Sequence, residues 1–253
     1  MTVEAIAVVP GDSHGGGIPR FRDEQSGCTF FVTTAADHPV LWDLYLRGAL
    51  ENYRHYGVEA ALEYDRIGDG RGTALFFLGV DPSGVAVAGV RMHGPYADVD
   101  EVRGVADWGP HPGADDLRRM VAERIPAGVI EAKGAWVARS ATDRHALSAT
   151  ISRTVPHALR MLGARYGLAT VATFTVERHR AAGAVVAEHI PAAPYPDERY
   201  ATVALWWDIE AYQTIAEQSQ RELIAAEQRE LGLVDTTRTR PVTGTGDRPE
   251  HGW

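Results

Sequence analysis

A glutamate and a lysine stand two positions apart at Glu131 and Lys133, and Arg144, His145 and Ser148 follow within the next turn and helix start. The run VIEAKGAWVA (129–138) has strand character, yet a strand buried on both faces would carry no charged residue. Side chains alternate along a strand, so Ile130, Ala132, Gly134, Trp136 and Ala138 are expected to face the core. Glu131 and Lys133 then share the other face, about 7 Å apart at roughly 3.3 Å per residue. Desolvation raises a carboxylate pKa and makes it a usable general base. A neighbouring ammonium opposes that shift. The competing interpretation is an ion pair on a solvated edge strand.

The segment RHALSA (144–149) begins the next helix. Free N–H groups at a helix start bind anions, and the helix dipole assists. Arg139 and Arg144 add positive charge. The plainer alternative is a solvated helix start with Asp143 as its cap.

These residues need a framework. The chain has 253 residues, a formal charge of −9 and 45% hydrophobic residues. That length supports a full core, and the charge argues against a non-specific nucleic-acid binder. Cys28 is the only cysteine, which excludes an intramolecular disulfide and fits a reducing cytoplasm. Every basic residue except Lys133 is arginine, as expected of a high-GC bacterial genome. The first residues, MTVEAIAVVPGDSHGGG, lack the features of a signal peptide. No run approaches the roughly 18 apolar residues of a membrane span. A cytoplasmic protein is expected.

Four segments are expected. Residues 1–27 hold a short strand, EAIAVVP, and a Gly-rich loop; 28–208 form the main domain; 209–231 form one long amphipathic helix; and 232–253 form a disordered tail. Within the main domain, 28–34 reads as a strand, and Asp37 and Pro39 open a helix over 40–56. Segments 73–80 and 84–94 flank the turn Asp81-Pro82-Ser83-Gly84 as a hairpin. Residues 95–113 read as loop and 114–125 as helix. The helix from 144 to about 166 is expected to kink or divide at Pro156. A strand from 168, a helix over 176–189 and a strand over 201–208 complete the domain. Trp206 and Trp207 must face opposite sides of that last strand. The 209–231 helix is expected to pack on its own domain, with a homodimer as the alternative.

This order of elements over 28–208 resembles the GCN5-related N-acetyltransferase (GNAT) fold. The resemblance implies an α+β domain: a twisted, mostly antiparallel central sheet flanked by helices, here with an extra C-terminal helix. The family places its pyrophosphate motif, Gln/Arg-x-x-Gly-x-Gly/Ala, between its fourth strand and third helix. Arg144 and Ala149 match it, and Leu147 stands where glycine is usual. Acyl-homoserine-lactone synthases and N-acyl amino acid synthases tolerate that loss. ALENYRHYGVEAALEYDRIGDG also looks like their helix-and-loop segment before the hairpin, and Glu131-x-Lys133 lies where they carry Glu-x-Ser-Arg or a similar motif.

The resemblance implies transfer of an acyl group from acyl-CoA or an acyl carrier protein to a small-molecule amine. The strands 129–138 and 168–175 would splay to hold the thioester, contacted by Trp136, Val137, Ala138, Arg139, Arg144, His145, Leu147, Ser148 and Ala149. Glu131 becomes the candidate base. The family's usual acid is a tyrosine on the helix after the fifth strand; 176–189 holds none, so Tyr195 is the candidate, with Tyr200 next to it. The loss of glycine at Leu147 leans towards acyl groups longer than acetyl. A second class stays open: a domain that has lost catalysis and serves as an acyl-thioester sensor or interaction module.

Other constellations yield less. Gly11-Asp12-Ser13 is similar to the nucleophile block of GDS-type hydrolases, but no Asp-x-x-His pair exists to activate the serine. No Gly-x-Ser-x-Gly elbow occurs. The ten histidines show no metal-ligand spacing and read mostly as surface or loop residues, so no metal is expected.

Overall fold

The computed structural model describes residues 17–233. The strand expected at 4–10, the Gly11-Asp12-Ser13 motif and the tail from 234 onward lie outside the described residues. The elements in order are β1 (Arg20–Arg22), β2 (Thr29–Thr33), α1 (Pro39–His55), α2 (Tyr64–Ile67), β3 (Leu75–Val80) and β4 (Ala86–His93). Then come α3 (Arg103–Trp108), α4 (Ala114–Arg124), β5 (Val129–Val137), α5 (Arg144–Leu162), β6 (Tyr166–Ala172) and α6 (Val176–Ala181). The chain closes with β7 (Val185–Val186), β8 (Thr202–Asp208), α7 (Tyr212–Ile215) and α8 (Gln218–Glu230).

The strands form one eight-stranded sheet in the order β1-β2-β3-β4-β5-β6-β8-β7. Every neighbouring pair is antiparallel except β5 and β6. Alternation sends successive side chains to two cores. Phe77, Val90, Ile130, Leu205 and Trp207 pack with α5 and α8 on one face. On the other, Phe76, Leu78 and Trp136 meet α1, while Val129, Leu168 and Trp206 meet α3 and α4. β3 is therefore buried at every position. Trp206 and Trp207 do face opposite ways; Arg124 lies over the Trp206 ring at 4.9 Å.

Several expectations change. Asp37 does not cap α1: His38 holds that position, Pro39 begins the helix, and the Asp37 carboxylate accepts from Thr34 Oγ1 at 2.6 Å. The loop expected over 95–113 contains α3. The helix expected over 176–189 ends at Ala181, because Gly183 has φ +91° and packs against the Tyr212 carbonyl. The chain turns there into β7. The helix expected over 209–231 breaks at Ala216 and Glu217, which take ψ values of 144° and 145°. α5 instead runs unbroken for 19 residues through Pro156.

α8 docks in cis against α5 and β1. A buried polar cluster fixes it. Arg153 of α5 is fully buried and donates to Asp23 Oδ1 at 2.5 Å, to Glu227 Oε1 at 2.8 Å and to Gln220 Oε1 at 2.9 Å. His157 Nε2 lies 2.8 Å from the second Glu227 oxygen.

Candidate active site

The site begins with an irregularity in β5. Arg91 of β4 pairs with Lys133, and Gly89 pairs with Trp136. One residue on β4, Val90, thus stands against two on β5, Gly134 and Ala135, which is a β-bulge. Gly134 supplies it with φ +62°, and its carbonyl accepts from Tyr45 Oη at 2.7 Å. A Cβ at Gly134 would collide with that same hydroxyl. The bulge reverses the alternation beyond it. Trp136 was expected on the face of Ile130 and Ala132, but it packs instead with α1.

Just before the bulge β5 also leaves its other neighbour. β5 pairs with β6 only from Val129 to Glu131, opposite Tyr166 to Leu168. The strands then splay, and a cavity of about 450 Å³ opens between them. Lys133, Gly134, Trp136 and Val137 line one wall, and Ala169 to Ala172 line the other. Tyr53 and Tyr56 of α1 close one side. α5 presents Arg144, Ser148, Ile151 and Val155, spaced as one helical face.

The candidate residues divide at this cavity. Trp136, Val137, Arg144, Ser148 and Tyr195 line it. Ala138, Arg139, His145, Leu147 and Ala149 do not. The Leu147 side chain is buried in the core under α5. Arg139 approaches His55 Nδ1 at 3.4 Å, and His145 is exposed. Arg144 Nη2 lies 3.3 Å from Tyr56 Oη. Asp143 caps α5, its carboxylate accepting from Ala146 N at 2.9 Å.

Glu131 does not reach the cavity either. It is fully buried, and both oxygens are engaged. Oε1 accepts from Gly104 N at 2.7 Å; Oε2 accepts from Arg103 N at 3.2 Å and from Tyr96 Oη at 2.7 Å. Two of those donors are the first N–H groups of α3, so Glu131 acts as that helix's cap from a distant strand. Burial, then the Glu131 charge, pushes the Tyr96 phenol far above its ordinary range. The proton-accepting role drawn from the sequence therefore lacks a free carboxylate oxygen at this position.

The missed helix α3 brings in Asp107. Its carboxylate pairs with Lys133 Nζ and approaches Arg103 Nη2 at 3.9 Å. Arg103 in turn donates to Glu63 Oε1 at 2.6 Å. Lys133 lies 5.9 Å from the centre of the Tyr195 ring. Burial first, and then Asp107, push the Tyr195 phenol well above its ordinary pKa. Tyr195 therefore keeps its proton at neutral pH. Arg91 and His93 back this cluster on β4; burial and the Arg91 charge lower His93 to about 3.

Two of the described histidines depart from the surface expectation, His93 and His157, which are buried, and His179 is half-buried. His179 lines the cavity. No group of histidine, cysteine and acidic residues that could hold a metal occurs among the described residues. No helix among them is long and apolar enough to cross a membrane.

No family model matches the sequence. Uncharacterized proteins of Mycobacterium tuberculosis and Mycobacterium bovis are each 39% identical to it over 204 residues, covering 81% of this chain and 78% of theirs. In structure the chain is similar to FeeM, an N-acyl amino acid synthase from uncultured soil microbes, with a TM-score of 0.56. That similarity covers 76% of this chain and 96% of the synthase at 11% identity, a likeness of fold. The chain belongs to one family with the mycobacterial proteins, and its fold is the GNAT acyltransferase fold.

Proposed function

We propose that the protein is an N-acyltransferase that takes an acyl group from a thioester of CoA or of an acyl carrier protein and passes it to the amine of a small molecule. One observation carries this: two adjacent strands splay beside a bulge, and the opening holds a protonated tyrosine, a half-buried lysine and, at its mouth, an arginine on a long helix. The backbone edges left unpaired beyond Glu131 and Leu168 suit an extended pantetheine arm, which pairs as a strand would. Arg144 and Ser148 suit the phosphate end.

Tyr195 is the proton donor to the leaving thiolate in this account. Asp107, which lies behind the cavity wall against Lys133 and near Tyr195, takes the amine proton through an intervening water in place of Glu131. Glu131 is a positioning residue: it holds α3, and α3 carries Asp107. The acyl chain enters the apolar part of the cavity, bounded by Ile151, Val155 and Trp207, which has room for more than acetyl.

A second account has one observation in its favour. The Asp143 carboxylate occupies part of the anion-binding start of α5, as would suit a domain that binds thioesters weakly and senses them. Free-thiol release from acetyl-, octanoyl- and palmitoyl-CoA with pooled amines separates the two. Release that depends on an amine supports transfer. Thermal stabilisation by a thioester with no release in any pool supports sensing.

A further inference from the structure

On the α5 side of the sheet the cavity wall is hydrocarbon, made by Val90, Ala132, Ile151, Val155, Ala169 and Trp207. Arg144, Ser148, Thr175 and Arg178 bring polar groups to the same cavity, and one further polar ring stands against the buried Trp207. His179 of α6 lines the same cavity, its ring edge-on to Trp207 with centroids 5.6 Å apart and planes at 86°. Its Nδ1 lies 2.9 Å from Ser152 Oγ, and Ser152 is fully buried. Among the described residues nothing bonds its Nε2. Burial, with the Arg178 charge beside it, lowers the imidazole to about 4, so the ring is neutral at physiological pH.

The free nitrogen is open to the cavity, and an acyl chain that displaced water from it would leave it without a partner, at a cost in free energy. The free nitrogen offers one of two faces. Ser152 Oγ also lies 3.2 Å from the Ser148 carbonyl. If the hydroxyl donates there, His179 donates through Nδ1 and Nε2 presents a lone pair. If the hydroxyl donates to Nδ1, Nε2 presents an N–H. A ligand hydroxyl, both donor and acceptor, answers either form. We infer that His179, oriented by Ser152, is a specificity-determining residue that binds a hydroxyl on the acyl chain, so that the preferred donor is a hydroxyacyl thioester. This rests on the acyl-thioester account above.

The test compares octanoyl-CoA with its α-, β- and ω-hydroxy derivatives on the full-length protein, by thermal shift and by kcat/KM for thiol release. The wild type should prefer at least one hydroxylated chain by about tenfold, the scale of one hydrogen bond gained. His179→Phe should bring that ratio close to one, and His179→Asn should restore part of it. A purely structural tie between α5 and α6 would lower stability and all substrates alike, with the ratio unmoved. Equal use of plain and hydroxylated chains by the wild type would overturn the inference and leave the thioester account standing. Binding of none of them would overturn both.

Discussion

At the residue scale Tyr195 and Asp107 carry the chemistry in the proposed account, and their contributions can be separated from that of Glu131. Tyr195→Phe should lower kcat about a hundredfold, the lower range for a lost general acid, with little change in KM. Because burial and Asp107 raise the phenol, the wild-type rate should show no fall from loss of this proton below its ordinary pKa of 10. Asp107→Asn should cut kcat by a similar factor. Glu131→Gln should instead destabilise the fold by about 2 kcal/mol through a weakened cap, with a smaller loss of rate. Urea unfolding beside steady-state kinetics reads both, and a rate loss in Glu131→Gln equal to that in Asp107→Asn would contradict this division of roles. The sequence pointed to Glu131 because a charged residue in a strand suggests function. It could not show that both oxygens are spent on Arg103, Gly104 and Tyr96, since those partners come from a segment with no helical signal of its own. Asp107 was hidden for the same reason.

At the element scale the bulge in β5 decides the site. Gly134 has a left-handed φ and no room for a Cβ beside Tyr45, so Gly134→Ala meets backbone strain and a steric clash together. It should destabilise the protein by about 1–3 kcal/mol and weaken thioester binding, read by thermal shift without and with octanoyl-CoA. Unchanged stability would show that the bulge does not depend on this residue. Strands and long helices were legible because their patterns are local: the 73–94 hairpin, α1, α4 and β8 all stand close to where periodicity put them. The reversal at Trp136 was not, because one inserted residue inverts every later side chain without altering composition. Nor were the breaks at Gly183 and Ala216, which depend on how α6 and α7 meet.

Across the whole molecule, α8 is tied to β1 and α5 through Arg153. Arg153→Met should cost about 3–5 kcal/mol, because it leaves Asp23 and Glu227 buried without their cation. A loss under about 1 kcal/mol in urea unfolding would mean that the α8 contact does not depend on this charge network. Enclosed histidines set a pH dependence of stability. His93 and His179 are lowered to about 3 and about 4 from 6.5, so the unfolded chain binds more protons between those values. Stability should therefore fall as pH drops below about 6.5 and continue to fall towards 4, and a flat profile over that range would contradict the neutral, enclosed rings. The order of elements across 28–208 was enough to suggest the fold, while the cavity needed the sheet to be assembled, since its walls come from β5, β6, α1 and α5. The most direct measurement of the central claim is a crystal structure with octanoyl-CoA bound. The account predicts the pantetheine arm between β5 and β6, the thioester beside Gly134 and Tyr195, and the acyl chain against Val155 and Trp207. An octanoyl-CoA bound elsewhere on the molecule, with the space between the two strands empty, would contradict it.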